Sequence, residues 1–381
     1  MQIHSIKQLL CTAVWFVISM GNVNAQLDNT FLSDTWVLHE QDSQTLGFRF
    51  QHYSYMRNTE YFGPIEKGRT LFGHQLLPAL VLQPIPRIYI QTGALIQQDF
   101  GATPQINSIK PIITLKLLSA SGNSWFNFGA IEGALSHGLI EPLFDINSAI
   151  LRRIENGAQF KSKGKYHHTD LWIDWERFIE AGSPFKEQFT AGFNQHIKLR
   201  DHEKSYYELT PIFQGLIFHR GGQIDSDTSS MVMIANVAAG MQAKVHISAS
   251  TLLLAEGYYT LYRETAPSGY FAFTSGSGMM ANVGILHKSL SSSITYWHAE
   301  NWIAPRGTAM YQSISQFDPL YTQPNRKLFI PRLCYQTPWM NNKIQCVARL
   351  EMFLESGMPV DFAYSLYLSY KLVGKMARIK Q

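Results

Sequence analysis

The sequence predicts an all-β protein: one closed antiparallel transmembrane β-barrel of about sixteen strands, with short periplasmic turns and longer outer loops. Three observations predict it. Long segments repeat their apolar residues at every second position, the connections between them alternate in length, and no apolar run beyond the N-terminal leader is long enough to cross a bilayer as a helix.

The period is clearest in 359–372, PVDFAYSLYLSYKL, where Val360, Phe362, Tyr364, Leu366, Leu368, Tyr370 and Leu372 share one parity, and Asp361, Ala363, Ser365, Ser369 and Lys371 the other. One such strand would fit a soluble sandwich equally well, since antiparallel sheets with one wet face also alternate. Strand number, strand length and connection pattern separate the two.

The chain has 381 residues, 16% charged and 13% aromatic, with a net charge of +4. That is a composition rich in apolar surface, without the clustered Lys and Arg that nucleic acid requires. Residues 1–25 have the form of a secretory signal peptide: Lys7, the apolar run LLCTAVWFVISM, and a VNA tripeptide before cleavage near Ala25. Residues 26–43 follow as a periplasmic N-terminal segment, 44–372 form the barrel, and 373–381 form a basic C-terminal tail.

Sixteen segments read as strands, near 44–56, 68–82, 87–99, 107–119, 124–136, 156–162, 168–179, 187–199, 205–219, 229–246, 250–263, 268–286, 290–302, 328–337, 343–354 and 358–372. Most exceed the length usual in soluble sheets and suit a tilted bilayer crossing. In 168–179, Leu171, Ile173, Trp175 and Ile179 oppose Asp170, Asp174 and Glu176. In 187–199, Phe189, Ala191, Phe193, Ile197 and Leu199 oppose Asn194, His196 and Lys198, with Arg200 next. In 343–354, Ile344, Cys346, Ala348, Leu350 and Met352 oppose Arg349 and Glu351. The stretch 68–82 is apolar on both parities.

Short connections at 83–86, 120–123, 163–167, 200–204, 247–249, 287–289 and 338–342 alternate with mostly longer ones at 57–67, 100–106, 137–155, 180–186, 220–228 and 303–327, only 264–267 and 355–357 on that side staying tight. Brief turns at one end and long loops at the other characterise outer-membrane barrels. An even strand count leaves both termini on the periplasmic side. In this architecture the chain resembles the Gram-negative outer-membrane β-barrel proteins, porin-like in size, over roughly residues 44–372. The resemblance rests on layout and not on a motif, and the chain runs past Tyr370 into a basic tail where such barrels commonly end on an aromatic. Outer-membrane lipid is the expected surrounding, and a homo-trimer is one expected assembly.

With the apolar parity toward lipid, the lumen-lining candidates are Asp170, Asp174, Glu176, Asn194, His196, Lys198, Arg200, Arg349 and Glu351. Acidic and basic strips on neighbouring strands would set a transverse field across a water-filled pore. Cross-strand pairing that merely holds the wall explains the same residues. Segment 137–155 breaks the period. It reads as a candidate constriction loop folded into the barrel mouth, with Glu141 and Asp145 facing Arg152 and Arg153, and an external loop packed on its neighbours fits the same residues. Segment 303–327 reads as an outer loop. Trp175, Tyr258, Tyr259, Tyr296, Trp297, Trp302 and Trp339 suit interfacial girdles.

Cys334 and Cys346 are a candidate cross-strand disulfide, although they fall on conflicting parities. His137, His196 and His246 read as isolated, solvated histidines. No nucleophile elbow, P-loop, dinucleotide fingerprint or CxxC is present, and no metal or other cofactor is expected. The expected function is a channel passing small polar solutes or exporting a polysaccharide. The alternatives are a plugged outer-membrane barrel acting as an enzyme or adhesin, whose Ser and His the sequence does not pair, and a secreted soluble all-β glycan-binding protein.

Overall fold

The computed structural model describes residues 44–199, 206–266, 269–340 and 343–378. The expected leader (1–25), the segment 26–43, Arg200 and the last three residues of the tail lie outside the described residues. Sixteen strands form one closed sheet. They are β1 Thr45–Glu60, β2 Thr70–Ile85, β3 Ile88–Asp99, β4 Ser108–Leu118, β5 Ser124–Ala130, β6 Asn156–Lys163, β7 His167–Arg177, β8 Glu187–Ile197, β9 Tyr207–Gly221, β10 Val232–Ser248, β11 Thr251–Ala266, β12 Ser275–His287, β13 Leu290–Glu300, β14 Asn325–Trp339, β15 Ile344–Phe353 and β16 Asp361–Arg378. Each pairs antiparallel with its sequence neighbours, and β1 shuts the ring against β16, from Thr45 opposite Arg378 to Glu60 opposite Phe362. β16 thus extends to Arg378, into the stretch read as tail.

The two-residue period decides which way each side chain points. In β16, Tyr364, Leu366 and Leu368 face outward and are exposed, while Ala363, Ser365, Tyr367 and Ser369 are buried inside. Phe72, Ile90, Ile113, Leu171, Phe193, Val283, Leu333 and Leu350 continue the same outward apolar coat around the ring. A soluble sandwich would hide such residues between two layers. Here they surround a single closed wall, as a barrel in hydrocarbon requires. Among the described residues no helix is long and apolar enough to cross a membrane, which says nothing about strands.

Turns at 86–87, 249–250 and 288–289 close the end that holds the termini; the opposite end carries the long connections 131–155 and 301–324. Both of these enter the barrel. In the first, Leu143, Phe144, Ile146 and Ile150 are buried; in the second, Trp302, Ile303, Ala304, Met310 and Tyr311 are. The expectation of an exposed outer loop at 303–327 is therefore corrected over its first half: these apolar side chains need a core, and the lumen wall supplies it through Trp297, Ile330 and Leu328. Backbone groups tie the two segments together, with the Asp145 N–H donating to Arg306 O (2.8 Å) and the Thr308 N–H to Glu141 O (2.9 Å). Gly307 permits this approach, since a Cβ there would lie 2.1 Å from Pro142 O.

The cysteine pairing is also corrected. Cys334 stands opposite Arg349 and Cys346 opposite Thr337, so the two are offset along the ladder as well as on opposite faces, and both are free. Of the girdle aromatics, Trp175, Tyr259, Tyr296 and Trp339 face outward, whereas Tyr258, Trp297 and Trp302 are packed inside against the inserted segments.

Candidate functional site

The outward parity of β1 runs Leu46, Phe48, Phe50, His52, Ser54, Met56, while Arg49, Gln51, Tyr53 and Tyr55 are buried in the lumen. His52 and Ser54 are two polar residues set into a greasy stripe. Same-face residues two apart on a strand bring their side chains together, and Ser54 Oγ lies 3.0 Å from His52 Nε2. Across the ladders, Ser54 faces His74 on β2 and Leu368 on β16. The His52 and His74 rings meet edge to face at 5.8 Å, and His74 in turn contacts Phe100 at 5.5 Å.

Further up the same parity is a polar rim. Asn58 Nδ2 donates to Glu60 Oε1 (2.7 Å) and to Tyr364 Oη (3.1 Å), and Thr70 Oγ1 donates to Asn58 Oδ1 (2.5 Å). At a rise of about 3.3 Å per residue, Ser54 sits roughly 13 Å along the strand below Asn58. The pair is thus beneath a polar rim and within the apolar coat. A neutral imidazole there can take the serine proton and activate the hydroxyl as a nucleophile. Among the described residues no carboxylate lies within ion-pair distance of His52; the ring against its edge is that of His74.

Of the residues singled out for the lumen, those that are described lie on the inward parity, and the inserted segments engage most of them. Glu132 pairs with Lys116 (2.7 Å) and Lys161 (3.3 Å), and Lys161 with Asp170 (3.5 Å). His137 joins Asp170 through Nδ1 and Glu155 through Nε2, both at 2.9 Å, and stacks on Trp172 at 3.6 Å. Arg306 reaches Asp174 (3.4 Å) and Glu176 (3.3 Å), and Arg152 reaches Glu176 (2.7 Å). Five carboxylates here meet four permanent cations, and His137 supplies the fifth positive charge when protonated. Burial alone would lower the His137 pKa, but Glu155 and Asp170 outweigh it and hold the imidazole above its ordinary value. His137 is therefore fully buried and doubly paired, which corrects the solvated reading.

A second network ties Glu141 to the opposite wall. Arg349 Nη2 donates to Glu141 Oε1 (2.5 Å) and Arg332 Nη2 to Glu141 Oε2 (2.7 Å), while Glu351 receives Arg57 (2.8 Å), Arg332 (3.1 Å) and Arg349 (2.6 Å). Asn194 holds the His137 carbonyl (2.7 Å), and His196 borders a small polar cavity with Gln214 and Glu141. Lys198 lies at the turn end of β8, where its N–H donates to Tyr166 O (2.8 Å). Asp145 accepts Thr308 Oγ1 (3.3 Å), and Arg153 donates to Gln75 (3.1 Å). The acidic strip thus faces cations of the inserted segments where the sequence suggested open water. Two lumen cavities of about 60 and 30 Å³ border these segments, volumes that suit a water or two.

Residues 38–378 match the lipid A 3'-O-deacylase-type family. The chain belongs to that family. Among curated proteins none matches the chain. Solved structures similar to this family member include OprD of Pseudomonas aeruginosa (8% identity, 89% of this chain and 99% of that one, TM-score 0.53). OccAB4 of Acinetobacter baumannii is similar at 10% identity over 88% of this chain and 100% of that one, with a TM-score of 0.50. OmpT of Vibrio cholerae, in a trimer form, is similar at 8% identity over 87% of this chain and 100% of that one, TM-score 0.50. At such identity these likenesses establish the barrel fold. The Ser54–His52 contact lies off the lumen parity, where the polar residues of the wall fall; its signal in the sequence is a polar pair interrupting the lipid-facing parity.

Proposed function

We propose that this protein is an outer-membrane esterase that removes an O-linked acyl chain from lipid A, the substrate named by its family, with Ser54 as nucleophile and His52 as general base. The observation that carries the reading is the Ser54–His52 contact on the outward wall, the face along which an acyl chain would lie. The occupied lumen supports it, because a solute channel would need the space that 131–155 and 301–324 fill.

In the proposed reaction the Ser54 O–H proton passes to His52 Nε2 as Oγ adds to the ester carbonyl. The tetrahedral intermediate collapses, and the sugar hydroxyl leaves with the proton from His52. Water, deprotonated by the same imidazole, then hydrolyses the acyl-serine, releasing fatty acid and regenerating the hydroxyl. His74, edge-on to His52, positions that ring.

The test is mass spectrometry of lipid A incubated in mixed micelles with refolded protein. Loss of one acyl chain, abolished in Ser54→Ala, is the expected result; undiminished loss in Ser54→Ala would end the assignment.

A further inference from the structure

A groove of about 420 Å³ opens on the outer wall near the end that carries the long loops, lined by Tyr296, Phe329, Leu354, Met358 and Val360 with Lys327 and Ser356 at its edge. Its size falls within the range of small-ligand sites. The backbone explains why it is there. The β14–β15 ladder ends at Arg332–Glu351 and resumes only as a single bridge, Phe329–Leu354. Between them comes Pro331, which has no N–H to donate. Tyr296, Phe329 and Val360 are each 44–46% exposed, so the floor is apolar and open outward.

The edge is cationic. Glu355 is engaged by Gln323 Nε2 (2.8 Å), Arg326 Nε (3.1 Å) and the Lys327 N–H (3.3 Å), so its charge is answered by Arg326. Among the described residues no carboxylate lies within ion-pair distance of the Lys327 ammonium. An apolar trough with an unanswered cation at its edge matches an acyl chain joined to a phosphate.

We propose that this groove binds a phosphorylated glycolipid of the surrounding leaflet, with one acyl chain along Phe329, Leu354 and Val360 and a phosphate at Lys327, separately from the Ser54 site. The inference rests on the lipid-facing orientation adopted above but not on the ester chemistry.

The experiment is native mass spectrometry of full-length protein released from nanodiscs containing hexa-acylated, bis-phosphorylated lipid A, or the same lipid after chemical dephosphorylation. The variants are Lys327→Gln and Met358→Trp, each made in the wild-type and Ser54→Ala backgrounds, with heat-modifiable gel migration confirming folding. Retention of the phosphorylated lipid should fall about tenfold in each variant, the loss expected for one charge-assisted contact or one filled trough. Dephosphorylation should cost the parent protein a similar factor and the Lys327→Gln protein little. Equal retention by all variants, or indifference to the phosphate, overturns the groove. If wild-type protein retains lipid A in a Lys327-dependent way without deacylating it, the esterase reading fails and the groove stands.

Discussion

Ser54 Oγ stands 3.0 Å from Nε2 of His52, two residues back along the same strand, and both side chains point away from the lumen. The barrel therefore presents the proposed nucleophile sideways. Substrate would arrive by lateral diffusion in the leaflet and meet no gate. Replacing Ser54 with Ala or His52 with Ala should lower kcat for deacylation by about a thousandfold or more. His74→Phe should keep the ring contact yet lose any polar role, lowering kcat by about tenfold to a hundredfold with little change in KM.

Glu141 holds the inserted segment to the wall by accepting from Arg349, Arg332 and Tyr311. Glu141→Ala would take one buried carboxylate from the Arg349 and Arg332 guanidinium groups, a loss of about 3–5 kcal/mol for breaking buried pairs. A lower unfolding temperature in heat-modifiable gels is expected, with transient conductance steps in planar bilayers. Silent bilayers would mean that 301–324 keeps the lumen shut by itself.

His137 makes the plug sensitive to alkali. Its folded-state pKa is raised by Glu155 and Asp170 against burial, so its contribution to stability is fully present below the ordinary histidine value of about 6.5 and is lost as pH rises through the folded value. Amide exchange in 131–155 should accelerate on going alkaline, accompanied by a change in Trp172 fluorescence as the stacked imidazole loses its proton. His137→Gln should exchange faster at every pH and show no such step.

Glu66, in the loop between β1 and β2, titrates upward although Arg69 lies 3.9 Å away. Burial first, then Asp145, raise its pKa to about 7. A raised carboxylate favours the folded state while protonated, so stability is lost as pH climbs from about 4.5 through 7. Glu66→Gln should therefore stabilise the protein by about 1–2 kcal/mol at alkaline pH and do little in acid, as read by thermal melts at both ends.

The wall was legible because its alternation is enforced twice, by apolar surroundings outside and polar groups inside, as Tyr364–Ser365–Leu366 in β16 illustrates. The parity failed at 68–82 for a reason the structure supplies. Leu77 and Ala79 point inward but pack with Leu95, Ile112 and Ala130 under Ile154 of the inserted segment, so that patch of lumen is itself a core. Periodicity also could not reveal that 301–324 enters the barrel, since its burial depends on contacts with Trp297 and with 141–145, far away in sequence. His137 lacked any local sign of its partners: Asp170 lies on β7 and Glu155 at the far end of the same connection. Ser54 and His52 were plain in the text but sat on the parity assumed to be inert.

The strand that bears Ser54 is also the one that zips onto β16 to complete the cylinder. Leu368 and Tyr370, the neighbours that wall in Ser54 and His52 on that side, belong to the last strand of the barrel. A ribbon in which β16 has not yet closed onto β1 would carry the hydroxyl and the imidazole but not this flank, so the proposed deacylation would report on closure of the cylinder.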